Sequence, residues 1–284
     1  MEIKKIGVVG CGLMGGGIAQ LAAQAGYQVV VTEVNKELLG KGLGAIEHFM
    51  GRAVEKGRMS EADKEAALSR LKGSVDMNDF ADCDLVIEAA IENMDLKHDI
   101  FSKLDKICPK EAILATNTSC LSIIDIARAT SKPEKVLGMH FFNPATIMKL
   151  LELVRTVGTS DETMEDARKV GENFGKTIIE AKDTPGFVVN RLFIPFMLHS
   201  IQTYEVGIAS REDIDTGINL GLGHPMGPLT LADFTGLDTI LYVADSIYQE
   251  TKDPRYIAPV LLRKMVAAGW LGRKTGKGLY DYSK

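Results

Sequence analysis

The chain has 284 residues, 45% of them hydrophobic and 25% charged, with 28 Gly and 9 Pro; these are the proportions of a folded globular protein and exclude a mainly disordered one. With 33 Lys+Arg against 38 Asp+Glu the formal net charge is −5, which speaks against binding a phosphate backbone and hence against a nucleic-acid partner. No apolar run reaches the roughly 18 residues of a membrane span, so no membrane association is expected, and the length suits one large domain or two modest ones.

The N-terminus, Met1 to Ile6, enters a strand-like run with no export signal before it. The four cysteines (Cys11, Cys83, Cys108 and Cys120) form no C-x-x-C pair. Together these features predict reduced thiols in a cytoplasmic protein. The five histidines are scattered without ligand spacing, so no metal is expected.

From residue 4 to about 182, short β-branched runs alternate with helical patterns: 6–9, 29–32, 84–87, 112–115, 136–142, 150–154 and 177–180. Nearly all of their residues are apolar, as in strands covered on both faces, which predicts a doubly wound, mostly parallel α/β sheet. Between the second and third runs, residues 36–72 read as two helices joined near Gly57, the second opening on a capping pair, Ser60 and Asp63. This helical-hairpin insertion is longer than an ordinary crossover and is expected to project from the domain. After Asp183-Thr184-Pro185-Gly186 the strand signals stop. Helices are predicted over 187–206, with a kink at Pro195, then 210–220, 229–250 and 256–268. The domains expected are therefore residues 1–183 (α/β) and 184–284 (all-helical).

The first run leads into Gly10-Cys11-Gly12-Leu13-Met14-Gly15, then a helix, then a strand ending at Glu33. Gly10 permits a tight turn, Gly12 the close approach of a pyrophosphate, and Gly15 close packing of helix on strand. The helix N-terminus, opening at Leu13 and Met14, presents N–H groups to the phosphates. Glu33, 18 residues past Gly15, stands where a carboxylate accepts bonds from a ribose hydroxyl. Strand, loop, helix, strand and acid fall in order, which reads as a Rossmann-type dinucleotide site. A carboxylate at that place repels a 2′-phosphate, so NAD is preferred to NADP.

A hydride transfer at an alcohol carbon needs a group to move the hydroxyl proton, and histidine suits neutral pH. His140 lies in Val136-Leu-Gly-Met-His-Phe-Phe-Asn-Pro144, and a second strand, Leu150-Leu-Glu-Leu-Val154, follows a loop. If these strands pair antiparallel about Thr146, His140 faces Glu152. The carboxylate would fix the imidazole tautomer and favour the imidazolium. A Glu in an apolar strand is costly unless paired. Asn117-Thr118-Ser119 ends the fourth run, where open α/β sheets bind ligands. Ser119 also stands, with Cys120 and Ser122, near a helix start, so it reads equally as a cap. Asn143 precedes Pro144 and reads equally as a turn residue, while Asn190 sits in the first turns of an apolar helix, where an amide needs a partner.

These segments, with Asp84-Leu-Val-Ile-Glu-Ala-Ala-Ile-Glu92, Lys182 to Arg191, Pro225-Met-Gly-Pro228 and Gly272 to Tyr280, resemble the short-chain L-3-hydroxyacyl-CoA dehydrogenase family over the whole chain. The likeness is to its stand-alone bacterial members acting on 3-hydroxybutyryl-CoA. It implies His140 as catalytic base, Glu152 as its partner, and Ser119 and Asn190 on the substrate's 3-oxygen or thioester end. It further implies dinucleotide contacts from Glu92, Lys97, Ser119, Asn143 and Lys274, an acyl-CoA thioester substrate, and a homodimer formed through the helical domain. Coenzyme A phosphates would meet the projecting hairpin, where Arg52 and Lys56 lie four apart on one helix face; a solvated face is the alternative. Two other readings compete. One is a β-hydroxyacid dehydrogenase acting on free acids through a lysine, and the other is a non-catalytic relative that keeps the dinucleotide fold.

Overall fold

Of eight strands, six are largely buried and the two at the sheet edges are not. A computed structural model describes residues 1–283. Its strands are β1 (Lys5–Val9), β2 (Gln28–Thr32), β3 (Leu71–Ser74), β4 (Leu85–Glu88), β5 (Ile113–Thr116), β6 (Val136–Phe141), β7 (Leu150–Arg155) and β8 (Thr177–Lys182). They form one sheet in the order β3-β2-β1-β4-β5-β6-β7-β8. From β3 to β6 all neighbours are parallel, β7 runs antiparallel to β6, and β8 runs parallel to β7. The sheet is thus mostly parallel with helices around it, the Rossmann-type build that the alternating pattern predicts.

Seven strands coincide with the seven apolar runs. β3 does not: Leu71-Lys72-Gly73-Ser74 contains no β-branched residue and is half-exposed. Its strand state comes from pairing at the sheet edge, Val29 with Leu71 through Thr32 with Ser74. The reading of 36–72 as purely helical is corrected to that extent.

Helices α1 (Leu13–Gln24), α2 (Lys36–Glu55), α3 (Glu61–Ser69), α4 (Met94–Ile107), α5 (Ile123–Ala127) and α6 (Asp161–Asn173) accompany the sheet. The α2–α3 hairpin packs on α1 through a few apolar residues. Ile46, Met50 and Ala67 are buried in the same apolar cluster as Ile18, Ala19 and Ala22 of α1. A Cβ added at Gly42 would fall 2.3 Å from the Cys11 carbonyl oxygen, so the hairpin lies close on the glycine loop. The turn at Gly57 (φ 64°) precedes Ser60, whose hydroxyl caps α3 by accepting the Asp63 N–H at 3.0 Å.

A compact unit covers Met1–Thr184 and a second begins at Pro185. The second contains α7 (Val189–Glu205), α8 (Arg211–Leu222), α9 (Pro228–Thr235), α10 (Leu237–Thr251) and α11 (Val260–Ala267). Ser210 caps α8 through the Asp213 N–H at 3.1 Å. The single helix predicted over 229–250 is two helices, because Gly236 at φ 101° breaks the path. The helix predicted from 256 begins only after Pro259, which cannot donate a backbone hydrogen bond in mid-helix. Ile194, Met197, Leu237, Ile240 and Leu262 form this unit's core.

Candidate active site

Backbone pairing sets the row on which the site is built. Val9, Glu88, Thr116 and Gly138 are successive partners across β1, β4, β5 and β6. These strands are parallel, so the glycine loop after Val9, the segment after Glu88, Asn117-Thr118-Ser119 and His140 all emerge at one edge, the carboxyl edge where open α/β sheets bind ligands.

The glycines do what their places require. Gly10 takes φ 93°, and a Cβ there would lie 2.8 Å from the Ala89 carbonyl oxygen. A Cβ on Gly15 would lie 1.9 Å from the Gly10 oxygen, whereas one on Gly12 would meet nothing within 4 Å. The loop is therefore sealed beneath and open at Gly12, a shape that fits a pyrophosphate laid against backbone. Gly12 is the N-cap of α1 without a side-chain bond, and the first turn holds no acid. The leading N–H groups and the positive helix end consequently suit an anion. Leu13 is exposed at this helix start and Met14 packs partly onto the core.

Glu33 follows β2 directly and turns back on the loop: Oε1 accepts the Cys11 N–H and Oε2 the Val34 N–H, each at 2.9 Å. Two oxygens with about four acceptor directions keep capacity for a hydroxyl donor. Burial and the Glu33 charge push the Cys11 thiol up to about 11. All four cysteines are buried.

His140 and Glu152 face one another in the β6–β7 register, as hairpin arithmetic predicts. The imidazole Nδ1 lies 2.6 Å from Glu152 Oε2, with Glu152 0% and His140 4% exposed. A carboxylate inside an apolar strand is thereby paired rather than stranded. The Phe142 ring stands 4.7 Å from the imidazole.

The floor between these two features is a polar network built around Glu88, a residue that the sequence pattern did not single out. Glu88, 0% exposed, accepts bonds from Lys97 Nζ at 2.7 and 2.8 Å, Thr116 Oγ1 at 2.7 Å and the Ala90 N–H at 2.7 Å. Lys97 is 1% exposed and also lies 3.5 Å from Glu92. Glu92 in turn accepts the Thr118 hydroxyl at 2.9 and 3.0 Å and the Ser119 N–H at 2.6 Å. The visible signal for Glu88 was a carboxylate closing an apolar strand. Asn117 Oδ1 accepts the Phe141 N–H at 2.9 Å and so ties the Ser119 segment to the residue after His140.

Ser119 is not the helix cap: Ser122 caps α5, and the Asp183 carboxylate accepts the Ile123 and Ile124 N–H groups at 3.2 and 2.7 Å. Burial holds the Asp183 carboxyl above the usual carboxylate range. Asn143 is exposed in the loop between β6 and β7. Arg52 in the last turn of α2 and Lys56 at its C-cap are both exposed on the hairpin. Two expected residues belong to the second unit: Asn190 in the first turn of α7, and Lys274, whose ammonium pairs with Asp238 at 2.6 Å. Among the described residues no cluster of three or more His, Cys, Asp or Glu could hold a metal, and no helix is long and apolar enough to cross a membrane.

Residues 5–184 match the family model of the 3-hydroxyacyl-CoA dehydrogenase NAD-binding domain, and residues 186–282 that of the 3-hydroxyacyl-CoA dehydrogenase C-terminal domain. A probable 3-hydroxybutyryl-CoA dehydrogenase of Deinococcus radiodurans is 48% identical over 98% of this chain and 100% of its own. The Bacillus subtilis protein of the same description is 45% identical over 100% and 99%. Among solved structures, (S)-3-hydroxybutyryl-CoA dehydrogenase from Ralstonia eutropha superposes with a TM-score of 0.96 at 45% identity, each chain covered in full. M. tuberculosis FadB2 gives 0.97 at 42%, also over 100% of both chains.

Proposed function

The chain belongs to the 3-hydroxyacyl-CoA dehydrogenase family, an oxidoreductase family using NAD, and from that premise we propose that it interconverts (S)-3-hydroxybutyryl-CoA and acetoacetyl-CoA through a His140–Glu152 proton-transfer pair. The observation that carries this reading is the buried 2.6 Å contact between the two side chains at the edge shared with the glycine loop. The same pair disfavours the free-acid and non-catalytic alternatives, which have no use for it.

When bound, NAD supplies the acceptor for the C3 hydride, or in its reduced form the donor. Gly10, Gly12, Leu13, Met14 and Gly15 cradle its pyrophosphate, and Glu33 meets the adenosine ribose. Glu92, Lys97, Ser119, Asn143 and Lys274 take the remaining dinucleotide contacts. The carboxylate at Glu33 repels a 2′-phosphate, so NADP is the poorer cofactor.

In oxidation the C3 hydroxyl proton passes to His140. Nδ1 is engaged by Glu152, so Nε2 is the atom that exchanges it, and Glu152 stabilises the resulting imidazolium. In reduction the same atom returns the proton to the 3-oxo oxygen. Ser119 and Asn190 hold the substrate's 3-oxygen or thioester end. Arg52 and Lys56 on α2 meet the coenzyme A phosphates. Apolar Leu192, Val206 and Phe234 are exposed in the second unit, which supports a homodimer through it; the buried thiols accord with a reducing cytoplasm.

Loss of NADH absorbance on adding acetoacetyl-CoA tests the reading. Turnover with the thioester but not with free acetoacetate is expected. Absence of thioester-dependent NADH oxidation, or preference for the free acid, overturns it.

A further inference from the structure

The loop that joins the two strands of the proton-transfer pair has little of its own to hold it. Residues 142–149 are exposed except for half-buried Phe142 and buried Ala145. Ala145 is a small foot set on α1: a Cβ added at Gly17 would lie 3.1 Å from its methyl group. Within the loop, the Ile147 and Met148 N–H groups share the Pro144 carbonyl, each at 3.0 Å.

The other fixture comes from the α6–β8 turn. Phe174 packs near Phe141, the residue after His140, with ring centroids 6.2 Å apart, and meets Tyr27 edge-on at 5.9 Å. Gly175 then turns the chain at φ 70°, and Lys176 extends under the loop. Its ammonium donates to the Ala145 carbonyl at 2.5 Å and to the Met148 carbonyl at 2.7 Å. The residue is 8% exposed and, among the described residues, has no carboxylate partner. Burial alone lowers its pKa, with no charge opposing the effect. An ammonium kept in that position carries a desolvation cost that two charge-assisted bonds to backbone offset only in part. A methionine of similar length would fill the volume without that cost.

We infer that Lys176 is a positioning residue for the His140–Glu152 pair: by pinning both ends of the Ala145–Met148 turn it holds the β6–β7 loop against α1, so that imidazole and carboxylate stay in register beside the glycine loop. This rests on the function proposed above, but its failure can be told apart from failure of that reading.

The test compares the full-length wild type with Lys176→Met, Lys176→Gln and Lys176→Arg, using NADH and acetoacetyl-CoA. For the two neutral variants kcat is expected to fall by about 10- to 100-fold, the scale of a misplacement near 1 Å. KM for acetoacetyl-CoA should stay within about twofold and Lys176→Arg should recover most of the rate, because it keeps charge and donors. Amide exchange over residues 145–149 should speed up in the neutral variants. Folded neutral variants with wild-type kcat overturn the inference, as do neutral variants that all fail to fold, since the lysine then serves stability only. A wild type inactive on the thioester overturns the functional reading instead; unchanged exchange in that loop would still defeat the role of Lys176.

Discussion

The glycine loop and the β6–β7 hairpin lie at the same sheet edge but are specified in opposite ways. The loop works by omission: Gly10, Gly12 and Gly15 leave out side chains, and a single methyl at Gly15 would sit 1.9 Å from a carbonyl oxygen. The hairpin works by insertion: it places an imidazole and a carboxylate in an otherwise apolar interior and satisfies each with the other at 2.6 Å. A site made of backbone tolerates loss of chemistry but not gain of volume. A site made of a buried polar pair tolerates neither partner alone.

The largest effect should come from breaking the hairpin side. His140→Gln is expected to lower kcat by about 10²–10⁴ while NADH affinity, read by fluorescence titration, stays near wild type. Glu152→Gln should follow in the same direction with a smaller loss. Full turnover in the His140 variant would remove the proton-transfer role.

The loop should fail the other way round. Gly15→Ala overpacks helix on strand and destabilises the fold by about 1–3 kcal/mol, and by displacing the loop it should weaken NADH binding, with residual turnover at saturating cofactor. Unchanged NADH affinity would contradict the tight packing at Gly15.

A smaller change sharpens cofactor choice. Glu33→Gln removes the charge but keeps an acceptor, and the ratio of kcat/KM for NADH over NADPH should drop about tenfold, an energy near 1.4 kcal/mol. A ratio that does not move would assign cofactor choice to other groups.

The smallest effect concerns the lysine beneath the hairpin. Burial lowers the Lys176 pKa below 10.5 in the folded chain, so between that lowered value and 10.5 the unfolded chain binds more protons and stability gains from rising pH. The Lys176→Met variant lacks that gain. Its Tm relative to wild type should therefore fall as pH is raised toward 10.5; a constant difference would show that the ammonium is not desolvated.

Much of the fold and of the site is legible in the chain itself because it depends on near neighbours. Short apolar runs mark seven strands, the spacing of Gly10, Gly12, Gly15 and Glu33 marks the glycine loop, and the short separation of His140 from Glu152 lets hairpin symmetry pair them. Strand β3 is hidden because an edge strand of Leu, Lys, Gly and Ser carries no propensity of its own and forms by pairing with β2. The predicted helix over 229–250 hides a break because a glycine at φ 101° looks locally like any other.

The amino-acid order alone thus determined the fold class, the backbone cradle and the pairing of imidazole with carboxylate, since each follows from local period or a turn of fixed length. Only tertiary structure decided where the buried lysines go. Lys97 finds Glu88 across the gap between a helix and a strand end, and Lys176 reaches carbonyls 31 and 28 residues earlier in the chain. A lysine reads as surface in any sequence, and its burial is set by the partners that the folded core brings to it.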